Sequence, residues 1–445
     1  MKILHPSLND KDLARLQSDT FKYFLHEMNP ENGLVPDSTR KGAPCSLAVI
    51  GFALTVYPIG VERGYLSRKE AIKRTLQKLR FFHNGPQGDE PEALGRNGFY
   101  YHFLDMKTGR RTWQSEVSTI DTTYLLAGAL TAAQYFDRDT EGEKEIRRLA
   151  DALYRRADWH WAQHGGLTVT HGWTPEKGFI KHRWTGYNEA LILYILALAS
   201  PSFPLSAKSY RAWTRTYKWK KLYGAEFLYA GPLFIHQLSH MWIDFRGIKD
   251  EYMRRKAIDY FENSRRATYA QQEYAMRNPK GFKGYGEYIW GITASDGPGP
   301  ARRRFKGRTV RFYDYAARGI PNGPDDGTLA PWAVAASLPF APEIVLPSLN
   351  HFNQEFPEMT SKYGFKCSYN PTFADSNKSG WVSLGYYGLD QGPVVVMIEN
   401  YRTGFLWRLM RNCPYVVEGL RRAGFSGLGK NSGARSPSER LRVAQ

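Results

Sequence analysis

The chain has 445 residues, of which 42% are hydrophobic and 23% charged, so it can bury a large core and is not a disordered polypeptide. Its three cysteines, Cys45, Cys367 and Cys413, are widely spaced, which excludes a CxxC metal pair and implies no disulfide framework. The net charge of +18 is compatible with an anionic partner or with a solvated basic face.

The two ends of the chain differ from the rest. The N-terminus, MKILHPSLNDKDLARLQSD, lacks the apolar core of a signal peptide, so the chain as written predicts a cytoplasmic protein. Residues 427–445 are polar and basic, which predicts a disordered tail. No linker divides residues 1–426, so we expect one domain there. No run reaches the ~20 apolar residues of a membrane span.

In chain order, six segments are apolar on nearly all sides. A helix of this kind has no solvent face and must be buried. The segments are CSLAVIGFALTVYPIG from Cys45, STIDTTYLLAGALTAA from Ser118, YNEALILYILALAS from Tyr187, PLFIHQLSHMWIDF from Pro232, LAPWAVAASLPF from Leu329 and GPVVVMIENYRTGFLW from Gly392.

Six amphipathic, charged segments alternate with the apolar ones. They are residues 10–28, 67–84, 142–163, 205–222, 250–275 and about 342–354. Six buried helices alternating with six half-exposed helices predict an all-α (α/α)6 toroid, in which an inner ring lies inside an outer ring. Short β-structure is expected at 98–114 and near 166–172.

Acidic residues cluster in the loops that precede the apolar helices, and these loops converge on one mouth of a toroid. Pro393, close after Asp390, is expected at a first helical position. The acids are Glu116, Asp121, Glu189, Asp325, Asp326 and Asp390, together with Glu287 and Asp296 from the glycine-rich stretch GYGEYIWGITASDGPGP.

Two interpretations of these acids stay open. Each acid alone is compatible with capping of a helix N-terminus. Helix caps, however, do not require neighbouring rings, whereas a sugar site uses carboxylates as acid and base and rings as platforms. The rings near these acids are Trp184, Tyr187, Tyr285, Trp290 and Tyr386. The glycine-rich stretch 284–300 is therefore predicted to be a substrate-binding loop.

Other motifs in the sequence are weaker indicators of function. His236 and His240 stand four residues apart in HQLSH, but Gln237 occupies the place of a zinc protease glutamate, so packing or hydroxyl binding is the interpretation. The chain has no phosphate loop, nucleophile elbow or dinucleotide fingerprint, and we expect no metal, no cofactor and no nucleic-acid partner. Six basic residues lie between Arg302 and Arg311 in ARRRFKGRTVRF.

Several collinear motifs resemble the glucoamylase-like family, which includes the bacterial endo-β-1,2-glucanases of glycoside hydrolase family 144. They extend from about residue 8 to about residue 412 and include GLVPDS, STIDTTYLLAGAL, GYNEALILYILALASP, YGEYIWGITASDGP, DGTLAPWAVAASLPF and GLDQGPVVVMIENYRTG. The resemblance implies an (α/α)6 barrel and an inverting hydrolase of β-1,2-glucan, with an oligo- or polysaccharide as substrate.

The resemblance also implies residue roles. Glu189 matches the general acid and Asp390 the general base, which is thought to act through water and a substrate hydroxyl. Glu116, Asp121, Glu287 and Asp296 match acidic positions of the cleft, and we add Trp184, Tyr187, His236, Tyr285, Trp290 and Tyr386 as substrate-binding residues. A helix N-terminus favours an ionised Glu189, so burial must outweigh the dipole if Glu189 is to hold a proton.

The sequence departs from the family pattern at three places. The basic segment after ASDGP replaces a Gly/Tyr-rich loop, which indicates a substituted, anionic glucan as substrate. Asn188 stands where an aspartate is frequent, and the leader peptide that would place the protein in the periplasm or outside the cell is missing. Two alternatives remain: a transglycosylase or a hydrolase of another glucan linkage, and a glycan- or polyanion-binding protein without turnover.

Overall fold

The computed structural model describes residues 9–373 and 380–428. Within these ranges the chain is rich in helices, and the fold is predominantly helical. The α-helices are Asp10–His26 (α1), Leu47–Glu62 (α2), Arg68–Asn84 (α3), Thr119–Tyr135 (α4), Glu141–Arg156 (α5), Trp159–Gln163 (α6), Leu191–Ala199 (α7), Ala207–Thr214 (α8), Glu251–Arg255 (α9), Tyr260–Arg277 (α10), Pro331–Ala336 (α11), Pro342–Glu355 (α12), Gly388–Arg402 (α13), Phe405–Arg411 (α14) and Pro414–Arg422 (α15). The predicted basic tail, from residue 429 onward, lies outside the described residues.

Short strands occupy the connections between helices. They are Cys45–Ser46 (β1), Gly95–Arg96 (β2), Phe99–Tyr101 (β3), Phe103–Leu104 (β4), Val117–Ser118 (β5), Gly172–Thr174 (β6), Gly178–Phe179 (β7), Trp219–Leu222 (β8), Ala225–Leu228 (β9), Ala294–Ser295 (β10), Ala301–Phe305 (β11), Arg308–Phe312 (β12), Ala316–Ala317 (β13), Thr360–Ser361 (β14), Gly364–Phe365 (β15), Tyr369–Asn370 (β16) and Trp381–Val382 (β17). An antiparallel sheet of order β2-β3-β5-β6-β7 is the largest among the described residues, and the other sheets are two-stranded. The β-structure expected at 98–114 is therefore present.

The apolar helices form the centre of the fold. Helix α4 packs between α2 and α7, α2 also contacts α13, and α13 contacts α11. The amphipathic helices lie outside them: α1 packs on α13, α5 on α4, and α12 on α11. The residues of α2 from Leu47 to Gly60 are all buried, as its all-round apolar sequence predicts.

Glycine allows the two largest central helices to approach each other. A β-carbon added at Gly128 of α4 would lie 2.1 Å from the carbonyl oxygen of Gly51 in α2. A β-carbon at Gly51 would lie 2.1 Å from the carbonyl oxygen of Tyr124. The α2–α4 contact therefore requires a residue without a side chain at both positions.

Three expectations about the helices are corrected. The fourth apolar segment is not an α-helix: it forms two 3₁₀ turns, Leu233–His236 and Leu238–Met241, held by three-residue hydrogen bonds such as His240 N–H to Gln237 C=O. Pro393 lies inside α13, which already begins at Gly388. The amphipathic segments 142–163 and 250–275 are each broken, because Asp158 and Asp259 cap new helices within them.

The basic stretch after residue 300 forms a β-hairpin, which the periodicity did not predict. Its strands β11 and β12 pair in register from Ala301 opposite Phe312 to Phe305 opposite Arg308. Val310 and Phe312 pack with Phe282 and Phe373 in a small apolar cluster separate from the main core.

In the described ranges, none of the helices combines the length and apolarity needed to cross a bilayer.

Candidate active site

A cavity of about 550 Å³ opens where the loops before α2, α4 and α13 meet. This volume is within the range of small-ligand sites. Its wall combines ionisable groups with rings and includes Asp37, Arg40, His102, Phe103, Trp113, Asp121, Tyr315, Tyr387 and Leu389. The site therefore lies at the end of the central helices where the sequence placed the acidic loops.

His102 connects two of the predicted acids. Its Nδ1 lies 3.1 Å from Oε1 of Glu116, and its Nε2 lies 3.7 Å from Oδ2 of Asp121. The ring of Phe103 stacks on the imidazole at a centroid distance of 3.9 Å. Asp121 also accepts a 2.5 Å hydrogen bond from the hydroxyl of Ser118, the N-cap of α4. Asp121 thus takes part in helix capping and also faces the cavity.

Burial and the charges of this cluster shift the pKa values of its histidine and carboxyl groups. Burial opposes protonation of His102, but the carboxylates of Asp121 and Glu116 outweigh it and raise the pKa of His102 to about 9. The pKa of Glu116 is lowered, because contact with His102 outweighs the effect of burial. Burial raises the pKa of Asp37 to about 6, although His102 opposes the shift. At neutral pH His102 is therefore an imidazolium among carboxylates.

Glu189 lies two residues before α7, whose N-cap is Ala190, and not within the first turn of the helix. Burial raises the pKa of the Glu189 carboxyl to about 7, a hydrogen bond from its own backbone opposes the shift, and the charge of Asp121 adds to it. Burial thus outweighs the opposing backbone hydrogen bond, and a substantial fraction of the Glu189 carboxyl is protonated near neutral pH. A carboxyl of this kind can donate a proton at neutral pH.

Asp390 lies in the first turn of α13 and has no exposed surface. Neither of its carboxylate oxygens has a partner at ordinary hydrogen-bonding distance and angle among the described residues. Burial raises the pKa of Asp390 well above the usual range, and the neighbouring Cys367 thiol acts against this shift. The carboxylates of Asp37 and Asp296 raise it further. Asp390 is thus an enclosed acid beside the cavity.

Asp296 is positioned by charge and by hydrogen bonds. Its Oδ2 forms an ion pair with Arg40 and accepts a 2.7 Å hydrogen bond from the Ser383 hydroxyl. The Arg40 guanidinium lies 5.7 Å from the centroid of the Tyr387 ring, which lines the cavity. The C-terminal part of the glycine-rich stretch is therefore connected to the cavity wall through the ion pair of Asp296 with Arg40.

Three of the predicted rings are nearly buried and act in part as supports. The Trp184 indole donates a 3.0 Å hydrogen bond to Thr119 and stacks on His171 at 3.9 Å. Tyr187 packs against Tyr260 and His236, and the Tyr386 hydroxyl contacts Ser361. These contacts hold the segments that carry Glu189 and Asp390.

Four other predicted substrate-binding residues are not brought to the cavity. Trp290 is completely buried, and its indole donates to Ser348, so it is a core residue and not a sugar platform. Burial lowers the pKa of His236 to about 4, and its Nε2 lies 3.3 Å from the Ala230 carbonyl oxygen. The Tyr285 hydroxyl donates to Asp325 at 2.6 Å. Glu287 is exposed, and its carboxylate contacts no cation of the described residues. Most of the 284–300 stretch therefore packs beside the site.

Sequence reasoning missed several residues of the site, among them Asp37, Arg40, His102 and Cys367. Asp37 stands in the quoted motif GLVPDS and His102 in the β-patch 98–114, so both lay in stretches already singled out. Cys367 and Arg40 carried no local signal, because their importance comes from contacts with Asp390 and Asp296 across the fold.

His102, Glu116 and Asp121 offer atoms that lie within 4.8 Å of one another, a spacing that suits a divalent cation. The hydrogen bond between His102 and Glu116 and the charge attraction to Asp121 are sufficient to hold this arrangement without a further ion. The acids also include two kinds of carboxyl group that a two-carboxylate reaction uses: Glu189, with a pKa of about 7, and the carboxylates of Asp37 and Asp121 on the cavity wall.

The chain is similar to known proteins in both sequence and fold. Residues 181–414, more than half of the chain, match the family model described as "Putative glucoamylase". A crystal structure titled a "putative glucoamylase" from Bacteroides uniformis superposes with a TM-score of 0.83 and 32% identity, covering 95% of this chain and 99% of that one.

The names of two relatives state an enzymatic activity. The endo-β-1,2-glucanase of Chitinophaga pinensis, solved with sophorotriose and glucose, has a TM-score of 0.82 and 28% identity, covering 95% of this chain and 99% of that one. An exo-β-1,2-glucooligosaccharide sophorohydrolase of Parabacteroides distasonis is 29% identical over 94% of this chain, which spans 58% of that relative's length. On the family match and the 32% identical structure, this chain belongs to the glucoamylase-like family.

Proposed function

We propose that the protein is a glycoside hydrolase that cleaves β-1,2-linked glucan. The observation that carries this proposal is the partly buried carboxyl of Glu189, whose pKa of about 7 suits a general acid and is raised in part by the charge of Asp121 on the cavity wall. The activities named for the relatives from Chitinophaga pinensis and Parabacteroides distasonis support the choice of linkage.

In the proposed reaction Glu189 protonates the glycosidic oxygen as the bond to the leaving sugar breaks. Asp390 is the general base of an inverting mechanism. Because Asp390 is enclosed, it accepts the proton of the attacking water through a relay of water and a substrate hydroxyl, as the family resemblance implies. This role requires the ionised form of Asp390. The Cys367 thiol favours that form, whereas burial, the larger effect, raises the pKa of Asp390 well above its usual range and favours the protonated form.

His102 and the acids around it are proposed to bind sugar hydroxyls. The imidazolium, held between Glu116 and Asp121, donates hydrogen bonds, and the carboxylates accept them. Trp113 and Tyr315, both exposed at the cavity, are proposed as platforms in place of the buried Trp290.

We further propose that the central segments close into an (α/α)6 ring within one catalytic domain. The contacts of α2 with α4 and α13, of α4 with α7, and of α11 with α13 support this arrangement. The two 3₁₀ turns at 233–241 take the place of the fourth inner helix, since the second turn contacts α13 and the Ser239 hydroxyl accepts the Ile192 N–H at the start of α7.

The basic hairpin is proposed to favour a glucan with anionic substituents. Arg302 and Arg311 lie directly opposite each other in the antiparallel pair, where like charges are destabilising. Both are exposed, and no acid of the described residues pairs with them. Replacing Arg302 and Arg304 with alanine is expected to raise KM for a substituted glucan and leave KM for the neutral glucan nearly unchanged. Equal changes in KM for both substrates would show that the hairpin is a solvated basic surface that does not select the substrate.

The function is tested by incubating the protein with β-1,2-, β-1,3-, β-1,6- and α-1,4-glucans. Product size is followed by chromatography and the anomer of the new reducing end by NMR. We expect release of sugars from the β-1,2-glucan with inversion. Retention with lengthened products would indicate a transglycosylase, and binding without products would indicate a glycan-binding protein.

A further inference from the structure

A second cavity, of about 640 Å³, lies between α8, α9 and the end of α15. It shares no lining residue with the candidate active site. Arg422, on its wall, donates to the carbonyl of Leu198 near the C-terminal end of α7, whereas Glu189 precedes the other end of that helix. The lining contains six basic residues, Arg211, Arg215, Arg254, Arg255, Lys256 and Arg422, and two acidic ones, Asp250 and Glu251.

The two acids do little to neutralise this cavity. Asp250 is buried: its Oδ1 accepts the Met253 N–H at 2.8 Å, and its Oδ2 accepts the hydroxyls of Tyr210 and Tyr260 at 2.7 Å each. Glu251 lies 3.9 Å from Arg255, and both side chains are more than 60% exposed. An ion pair of this length in solvent contributes little. The cavity therefore keeps a strong positive charge.

Two of the guanidinium groups are held in place by the fold. Arg254 Nη1 donates to the carbonyls of Lys249 and Gly424 at 2.9 and 2.8 Å. Arg422 is anchored by Glu418 and by the Leu198 carbonyl. Arg211 and Arg215, by contrast, make no side-chain hydrogen bond or ion pair with the described residues. Fixed and free guanidinium groups thus face one concave space.

We propose that this cavity binds a small phosphorylated anion, separately from the glucan site. Guanidinium groups match phosphate oxygens in geometry and charge. Arg211, Arg215 and Arg254, which pair with no acid of the described residues, favour an anion of more than one negative charge. The cavity is larger than a single phosphate requires, so the ligand class is a diphosphate or a phosphate ester of a small molecule. The two fixed arginines provide a pre-formed platform, and Arg211 and Arg215 close on the ligand.

The test uses the full chain and inorganic pyrophosphate as the probe, titrated by calorimetry at constant ionic strength. We expect saturable 1:1 binding, weakened at least tenfold in the R211Q/R215Q double variant. Its matched control is R15Q/R148Q, which removes the same charge from exposed positions on α1 and α5 whose ion pairs are 3.9 Å long. The control is expected to change affinity less than twofold.

Several outcomes would overturn the proposal. These are an absence of saturable binding, equal weakening in both double variants, or association with phosphatidylglycerol vesicles without binding of pyrophosphate. Because Arg211 and Arg215 hold no partner, their variants are expected to fold, which circular dichroism checks. If the double variant does not fold, R215Q alone is measured against R148Q with the same criteria.

Discussion

Replacement of Glu189 by glutamine is expected to remove most turnover, because the amide cannot supply the proton that the leaving sugar needs. With a pKa of about 7 half of the Glu189 carboxyls are protonated at pH 7, whereas at the ordinary value of 4.5 only about 0.3% would be. Burial thus enlarges the population of active acid about 150-fold. Loss of general acid catalysis costs ~10²–10⁴-fold in rate.

The assay is the kcat of sugar release from β-1,2-glucan, measured from pH 5 to pH 9. Wild-type activity is expected to fall as pH rises through about 7, since the acid must be protonated, and E189Q is expected to lose this alkaline limb. D121N removes a like charge next to Glu189 and is expected to move the limb to lower pH. E355Q, an exposed position at the end of α12, is the control. An E189Q variant that keeps more than a tenth of the wild-type kcat would refute this assignment.

Three further changes test the site and the fold. D390N is expected to lower kcat at least 10²-fold with substrate binding retained; unchanged turnover would show that Asp390 is not the general base. H102Q is expected to lower the melting temperature most below pH 6.5 and least above pH 9, because the folded pKa of about 9 exceeds the unfolded value; a constant difference would contradict this. G128A is expected to destabilise the protein by ~1–3 kcal/mol in urea unfolding, since its β-carbon meets backbone; an unchanged midpoint would exclude that clash.

Much of the helical framework could be predicted from the sequence, because a helix that is apolar on all sides has to be buried wherever it lies. The segments from Ser118 and Cys45 became α4 and α2 with boundaries within two residues of the prediction. Glu116 and Asp121 also met at one site, because both flank the start of a buried helix. These features depend on periodicity and on helix capping, and both are determined by residues that are close together in the sequence.

Tertiary structure decided what depends on residues far apart in the chain. The segment from Pro232 has helical periodicity, yet it folds as two 3₁₀ turns between α7 and α13. Trp290 and Tyr285 resemble sugar platforms in sequence, but one is enclosed by the core and the other is bonded to Asp325. Whether a ring faces a cavity or a helix is set by packing, which overrides the local composition.

The same holds for the chemistry of the acids. The sequence by itself determined that Glu189 and Asp390 stand at the starts of buried helices, because the apolar runs after them are unmistakable. Only the tertiary structure decided their protonation, since the pKa of Glu189 depends on its burial and on Asp121, which is distant in sequence. His102 became an imidazolium for the same reason: the two carboxylates that raise its pKa are Glu116, directly before β5, and Asp121 in the first turn of α4.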